Sequence, residues 1–112
     1  MLKKSNRLTT KQVLGVMKNG KVVNSPLFVL RYITNQPDTR ISAVAPVKIA
    51  KKAVIRNRAR RRMYGVLREF FPSIISGIHA IIFSGSDLVS YDFESVRDGI
   101  RDLLVKGNLI KK

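Results

Sequence analysis

The sequence predicts an α+β fold, a two-layer sandwich in which about four strands form one sheet that packs with helices. Three observations support this class. The chain has 112 residues, 45% of them hydrophobic, which suits one small core and a single domain over residues 1–112. Short apolar runs bounded by turn residues predict strands, and longer segments of helical period separate them. The predicted element order is α-β-β-β-α-β-α.

The first helix is predicted over residues 10–19. Thr9 and Gln12 have the spacing of a capping box, in which each side chain bonds the backbone of the other. Gly20 then provides a stop signal. One apolar face of this helix contains Val13, Leu14, Val16 and Met17.

Three strands are expected next. A weak strand at residues 21–24 is followed by the apolar run 27–33. Turn residues at 35–38 lead to a strand at 40–45, which Pro46 stops.

The second half of the sequence predicts two helices with one strand between them. Residues 53–70 have helical period, and Pro72 ends that helix. Residues 79–84 form a short buried strand, and Ser90 or Asp92 caps the last helix. The inward positions predicted for the two helices are Ile55, Ala59, Met63, Val66 and Phe70, then Phe93, Val96, Ile100, Leu103 and Leu104.

The charge is large and unevenly distributed. Lys and Arg total 22 against 7 Asp and Glu, for a net charge of +15. Residues 1–68 contain 17 of those cations and a single acid, Asp38. Like charge concentrated in this way opposes folding by self-repulsion, so it favours a polyanionic partner such as nucleic acid. A solvated basic face or a localisation signal is the alternative.

The segment 48–68 is the predicted nucleic-acid interface, since it contains no acid. Arginine dominates it, and the planar guanidinium suits phosphate and stacks on bases. Asn57 can bond phosphate, a 2′-hydroxyl or a base edge. The candidate RNA-binding residues are Lys48, Lys51, Lys52, Arg56, Asn57, Arg58, Arg60, Arg61 and Arg62.

Other classes of function find little support. There is no cysteine, and the basic residues 1–7 lack the apolar segment of a signal peptide, so we expect a soluble cytoplasmic protein with no membrane partner. His79 lies among apolar residues, where a core histidine is expected, and the pair Asp98 and Asp102 has arginines beside it. We expect no catalytic residue, no bound metal or cofactor and no small-molecule substrate.

The basic helix resembles a known one. Residues 54–61 read Val-Ile-Arg-Asn-Arg-Ala-Arg-Arg, which is similar to the Arg-Asn-Arg signature helix of the bacterial ribonuclease P protein subunit. Arg7-Leu8, Gly20-Lys21 and the ending around Gly107 also match that family, as does the element order. The resemblance implies a left-handed crossover around the basic helix.

The resemblance also implies a function. The protein would bind the catalytic RNA of ribonuclease P through its basic helix and the 5′ leader of precursor tRNA through a cleft. The RNA, with magnesium, would hydrolyse the phosphodiester, and the protein itself would be noncatalytic. The cleft residues are expected to be Val13, Met17, Phe28 and Arg31, and many relatives place aromatic residues at the positions of Val13, Met17 and Arg31. A ribosomal-type or generic RNA-binding structural protein is the alternative.

Overall fold

The computed structural model describes residues 2–110, and its elements follow the predicted order. In chain order they are α1 (Thr10–Asn19), β1 (Lys21–Asn24), β2 (Phe28–Ile33), β3 (Arg40–Val44), α2 (Ala53–Phe70), β4 (His79–Ser84) and α3 (Phe93–Lys106). Two short 3₁₀ turns precede α1 and follow α2. The predicted α+β class is confirmed, including the weak strand β1.

The four strands form one mixed sheet in the order β1-β2-β4-β3. The pairs β1–β2 and β2–β4 are antiparallel, and β3 runs parallel to β4. Parallel neighbours need a crossover connection, and α2 supplies it. The last strand in the chain therefore lies inside the sheet, between β2 and β3. The handedness of the crossover stays a prediction.

The core lies between one face of the sheet and the helices α2 and α3. Phe28 and Leu30 of β2 point into it and are fully buried, as is Ile82 of β4. Helix α3 approaches β2 so closely that a Cβ on Gly99 would lie 2.9 Å from the Phe28 ring. The buried helix residues are Ala59, Met63, Tyr64, Val66 and Leu67 on α2 and Val96, Ile100, Leu103 and Leu104 on α3.

Three predicted core positions need correction. Ile55 and Phe70, at the two ends of α2, are only half-buried, because the sheet and α3 cover the middle of that helix. Phe93 is 51% exposed, since it is the first residue of α3 and precedes the turn that meets the core. Asp92, one of the two predicted caps, is confirmed: its carboxylate accepts a hydrogen bond of 2.8 Å from the Ser95 amide.

Helix α1 lies on the opposite face of the sheet. Its capping box is confirmed, with Gln12 Oε1 accepting from the Thr9 amide and Thr9 Oγ1 accepting from the Gln12 amide. Of the predicted apolar face only Val16 is buried, while Leu14 is 65% and Met17 40% exposed. The sandwich of sheet with α2 and α3 thus has a third, thin layer. That layer borders an open stretch of sheet.

Candidate nucleic-acid interface

The basic segment 48–68 is mostly open to solvent. Seven of the nine predicted RNA-binding residues are exposed: Lys48, Lys51, Lys52, Asn57, Arg58, Arg60 and Arg61. The four on α2 are exposed because its apolar stripe faces the sheet and α3, which turns the remaining positions outward, and the three lysines lie in the loop before the helix. The two others, Arg56 and Arg62, are half-buried and have partners inside the protein.

Arg56 holds the loop that precedes its own helix. Its Nη1 donates to the Ala50 carbonyl at 3.0 Å and to the Lys51 carbonyl at 2.7 Å. The loop carries Lys48 and turns tightly, with the Ile49 amide donating to the Pro46 carbonyl. Part of the Arg56 guanidinium is therefore committed to shaping the interface, and the side chain stays partly exposed.

Arg62 has a similar structural role on the other side of α2. Its Nη1 donates to the Leu88 carbonyl at 2.9 Å and to the Tyr91 carbonyl at 2.7 Å. These bonds fasten the segment between β4 and α3 to the middle of α2. Hydrogen bonding with Ser95 lowers the pKa of the Asp92 carboxyl, and the charge of Arg62 lowers it further. The sequence pattern gave no indication of this role, since both acceptors are distant backbone carbonyls.

The exposed cations on α2 have no acidic partners within residues 2–110. The ion pairs of this part of the chain join Asp38 to Arg40 and to His79, and Arg97 to Glu69 and Asp98. None of them includes a cation from the segment 48–68. Arg58, Arg60 and Arg61 thus form a dense, uncompensated positive surface, which an RNA backbone can neutralise.

Asp38, the single acid of residues 1–68, has a structural position. It accepts from Arg40 Nε at 2.6 Å and lies 2.7 Å from Nε2 of the buried His79. The hydrogen bond with His79, followed by that from Arg40, lowers the pKa of the Asp38 carboxyl. Arg40 also donates to the Arg7 carbonyl, which ties the amino-terminal segment to β3. The prediction of a core histidine at position 79 is confirmed.

A groove lies beside α1 on its face of the sheet. It has a volume of about 470 Å³, and its lining includes Met17 of α1, Val29 and Arg31 of β2, Phe83 of β4, and Lys48 and Ile49 of the loop before α2. The loop joins this groove to the basic face of α2. A smaller hollow of about 200 Å³ lies between β3 and α2, and Arg56, Asn57 and Arg60 line it.

The groove contains two of the four predicted cleft residues, Met17 and Arg31. Phe28 is a correction: it is fully buried in the core because strand alternation points it away from Arg31. Val13, half-buried one turn before Met17, lies outside the lining of the groove. Whether Val13, Met17 and Arg31 bind a leader stays a prediction.

Phe83 is the groove residue that the sequence did not reveal. The run 79–84 is so apolar that it predicts a strand buried on both faces, with no indication of which face is open. The register pairs Phe83 with Val29 of β2 and with Val44 of β3, which sets its side chain on the α1 face. Alternation along β4 was the available signal, but it becomes informative only when the neighbouring strands are known.

The described residues contain no group of three or more His, Asp or Glu side chains placed to hold a metal ion. Over the same part of the chain, no helix is both long and apolar enough to cross a bilayer. The side chains exposed on the basic surface carry guanidinium, ammonium and amide groups.

A small α+β domain with an uncompensated arginine face belongs to the class of nucleic-acid-binding proteins. The particular family follows from comparison with known proteins. The family model described as Ribonuclease P matches residues 2–107, and the chain belongs to that family.

Individual relatives agree. The chain is similar to the ribonuclease P protein component of Microcystis aeruginosa, with 38% identity over 63 residues that cover 56% of this chain and about half (52%) of that relative. It is 28% identical to the same component of Rippkaea orientalis over 97% of this chain and 91% of the relative. Among solved structures, the RNase P protein of Thermotoga maritima superposes with a TM-score of 0.78 at 26% identity, covering 89% of this chain and 96% of that one.

Proposed function

We propose that this chain is the protein subunit of a ribonuclease P holoenzyme, an endoribonuclease that removes the 5′ leader of precursor tRNA. The exposed face of α2 carries this proposal: Arg58, Arg60 and Arg61 lie next to Asn57 and have no acidic partner within residues 2–110. Membership of the family supports the same assignment.

In this proposal the α2 face binds the catalytic RNA. Arginine forks contact phosphates in pairs of hydrogen bonds, and Asn57 reads a 2′-hydroxyl or a base edge. The bonds of Arg56 to the Ala50 and Lys51 carbonyls hold the neighbouring loop in place before the RNA arrives. A preformed surface loses less conformational entropy on binding than a mobile one.

The groove beside α1 binds the leader in the same proposal. Arg31 and Lys48 provide cations for the leader phosphates, and the apolar lining accepts unpaired bases. The protein thereby adds contacts that the precursor has and the mature tRNA lacks, which favours substrate over product. The RNA, with its magnesium ions, performs the phosphodiester hydrolysis, and the protein increases affinity and positions the leader.

Reconstitution with the RNA of the same source tests this function. We expect no cleavage of precursor tRNA by the protein alone. When magnesium is limiting, the protein should stimulate the 5′ processing that the RNA performs. If about 6–10 phosphates are contacted, affinity for the RNA falls roughly 10³- to 10⁵-fold between 50 and 200 mM salt. Affinity that is flat over this range contradicts the proposal.

Substitutions of arginines on α2 and, as a control, of one arginine on α3 make the test specific. The triple change Arg58→Gln, Arg60→Gln and Arg61→Gln should abolish most of the binding to RNA. Arg101→Gln, which removes an exposed cation from α3, serves as the control and should retain it. If the protein purified from cells instead brings down ribosomal RNA alone, the structural RNA-binding alternative is correct.

A further inference from the structure

The groove exists because α1 covers only part of its face of the sheet. Two rows of residues cross the strands there, as the register shows. Arg31, Ile81 and Ser42 form one row, and Val29, Phe83 and Val44 form the next. Ile81 is fully buried on this face, as is Val16 of α1. The second row stays half-buried, and two of its members, Val29 and Phe83, form the floor of the groove.

The walls of the groove combine apolar surface with positive charge. Met17 of α1 lies on one side, and Ile49 with Pro46 on the other. Arg31 and Lys48 add a cation from the sheet and one from the loop. The volume of about 470 Å³ falls within the range of roughly 300–1,000 Å³ that is usual for ligand sites.

Arg31 is held in place rather than free to swing. Its Nη1 donates to the Met17 carbonyl at 3.2 Å, in the last turn of α1. A guanidinium has five N–H donors, so others stay available for a phosphate. The same bond links the α1 wall to the floor of the groove.

The floor contains one aromatic ring, that of Phe83. Phe28 and Tyr32, the other aromatic residues in the strands, lie on β2 with the opposite orientation. A half-buried ring next to two cations matches an unpaired nucleotide, whose base stacks and whose phosphates are anionic. A base pair in a duplex does not offer its flat face to such a floor.

We propose that Phe83 is the residue on which this protein stacks a base of the single-stranded leader, with Arg31 and Lys48 contacting the phosphates on either side. This inference rests on the proposed function, because it assumes that a leader enters the groove. It shifts the stacking ring from α1 and β2, where the resemblance places aromatics, to the inner strand β4. Met17 and Arg31 then serve as walls.

Binding of precursor and mature tRNA to the reconstituted holoenzyme tests the inference. Phe83→Leu keeps an apolar side chain of similar size and removes the ring. We expect it to weaken binding of precursor tRNA about 5- to 150-fold and to leave mature tRNA unaffected, since stacking contributes this range per base. Phe83→Tyr, which retains a ring, should bind like wild type. Phe71→Leu makes the same change at another half-buried phenylalanine, outside the groove, and is the control.

Abasic nucleotides in the leader locate the stacked base. With the wild-type protein, an abasic nucleotide at one leader position should weaken binding of precursor tRNA as strongly as Phe83→Leu does. With Phe83→Leu, an abasic nucleotide at that same position should cause no further loss of affinity. Additive losses at every position overturn the stacking role, whether or not the variant is less stable. If wild type binds precursor and mature tRNA equally, the proposed leader binding is wrong. If wild type prefers the precursor and Phe83→Leu prefers it equally, only the inference about Phe83 is wrong.

Discussion

The two faces of the sheet differ sharply in how they are covered. On the face toward α2 and α3, Phe28, Leu30 and Ile82 are fully buried. On the face toward α1, Ile81 is fully buried, but the neighbouring row that contains Phe83 stays half-open. One strand residue therefore supports the core while the next lines a groove.

This difference separates stability from binding within the same strands. Nine buried residues from α2 and α3 pack on the core face, whereas α1 contributes only Val16 to the other. Apolar burial is the main source of stability, so substitutions on the core face should lower the free energy of unfolding. Substitutions on the groove face should mainly alter binding, because little packing is lost there.

The largest effect is expected from truncation on the core face. Ile82→Ala should reduce the free energy of unfolding by about 2–5 kcal/mol, since the side chain is fully buried between the sheet and the helices. Val29→Ala, at a half-buried groove position on the adjacent strand, should cost less than about 1.5 kcal/mol. Urea denaturation of both variants measures the difference. Equal losses would show that the groove face supports the fold as strongly as the core face.

A smaller effect is expected from two arginines one turn apart on α2. Arg62→Ala removes the side-chain donor to the Tyr91 carbonyl and one of the two donors to the Leu88 carbonyl, and should cost about 1–3 kcal/mol. Arg58→Ala, at an exposed position, should leave stability within about 0.5 kcal/mol and weaken binding to RNA. Thermal unfolding measures the stability of both variants, and an RNA-binding titration measures their affinity for RNA. The reverse result would mean that Arg58 is structural and Arg62 is the contact.

Gly65 lies on the outer side of α2 and tests how little that side contributes to packing. It is exposed in mid-helix, and a Cβ there would meet nothing within 4 Å. Gly65→Ala should therefore stabilise the protein by about 0.4–1 kcal/mol, because alanine restricts the unfolded chain and favours the helix. A rise in the thermal midpoint checks this, and a fall would reveal a packing role for this position.

The smallest effect on stability at neutral pH is expected at Asp38, which lies just before β3 and contacts His79, the first residue of β4. Hydrogen bonds from His79 and Arg40 lower its pKa, so its ionised form favours the folded state. That contribution is complete above the unfolded pKa of about 3.9 and is lost as pH falls through the lower folded pKa. Urea midpoints measured from pH 6 down to pH 2.5 should therefore fall in wild type below about pH 4.

Variants isolate the contribution of Asp38 to this acid sensitivity. Asp38→Asn should lower the midpoint at pH 6 and approach wild type at the acid end of the series. Asp102→Asn, at an exposed position on α3, is the control and should follow wild type throughout. A constant difference between Asp38→Asn and wild type at every pH would show that the side chain contributes through packing rather than charge.

Local sequence patterns were sufficient to predict the elements and the chemistry of the basic surface. The capping box at Thr9, the cap at Asp92 and the apolar stripe of α2 are signals within a few residues of one another, and local geometry is sufficient to interpret them. The exposed cations follow from the same stripe, because positions off the stripe point outward. The basic interface on α2 was predictable for this reason.

Long-range packing, in contrast, sets which residues share a face and which cations have partners inside the protein. Insertion of β4 between β2 and β3 sets Phe83 beside Val29, and this pairing joins residues more than fifty positions apart. The same long-range packing buries Phe28 and brings distant carbonyls to Arg62. A strand pattern fixes alternation but not orientation, since either face can turn toward the helices until its neighbours are in place.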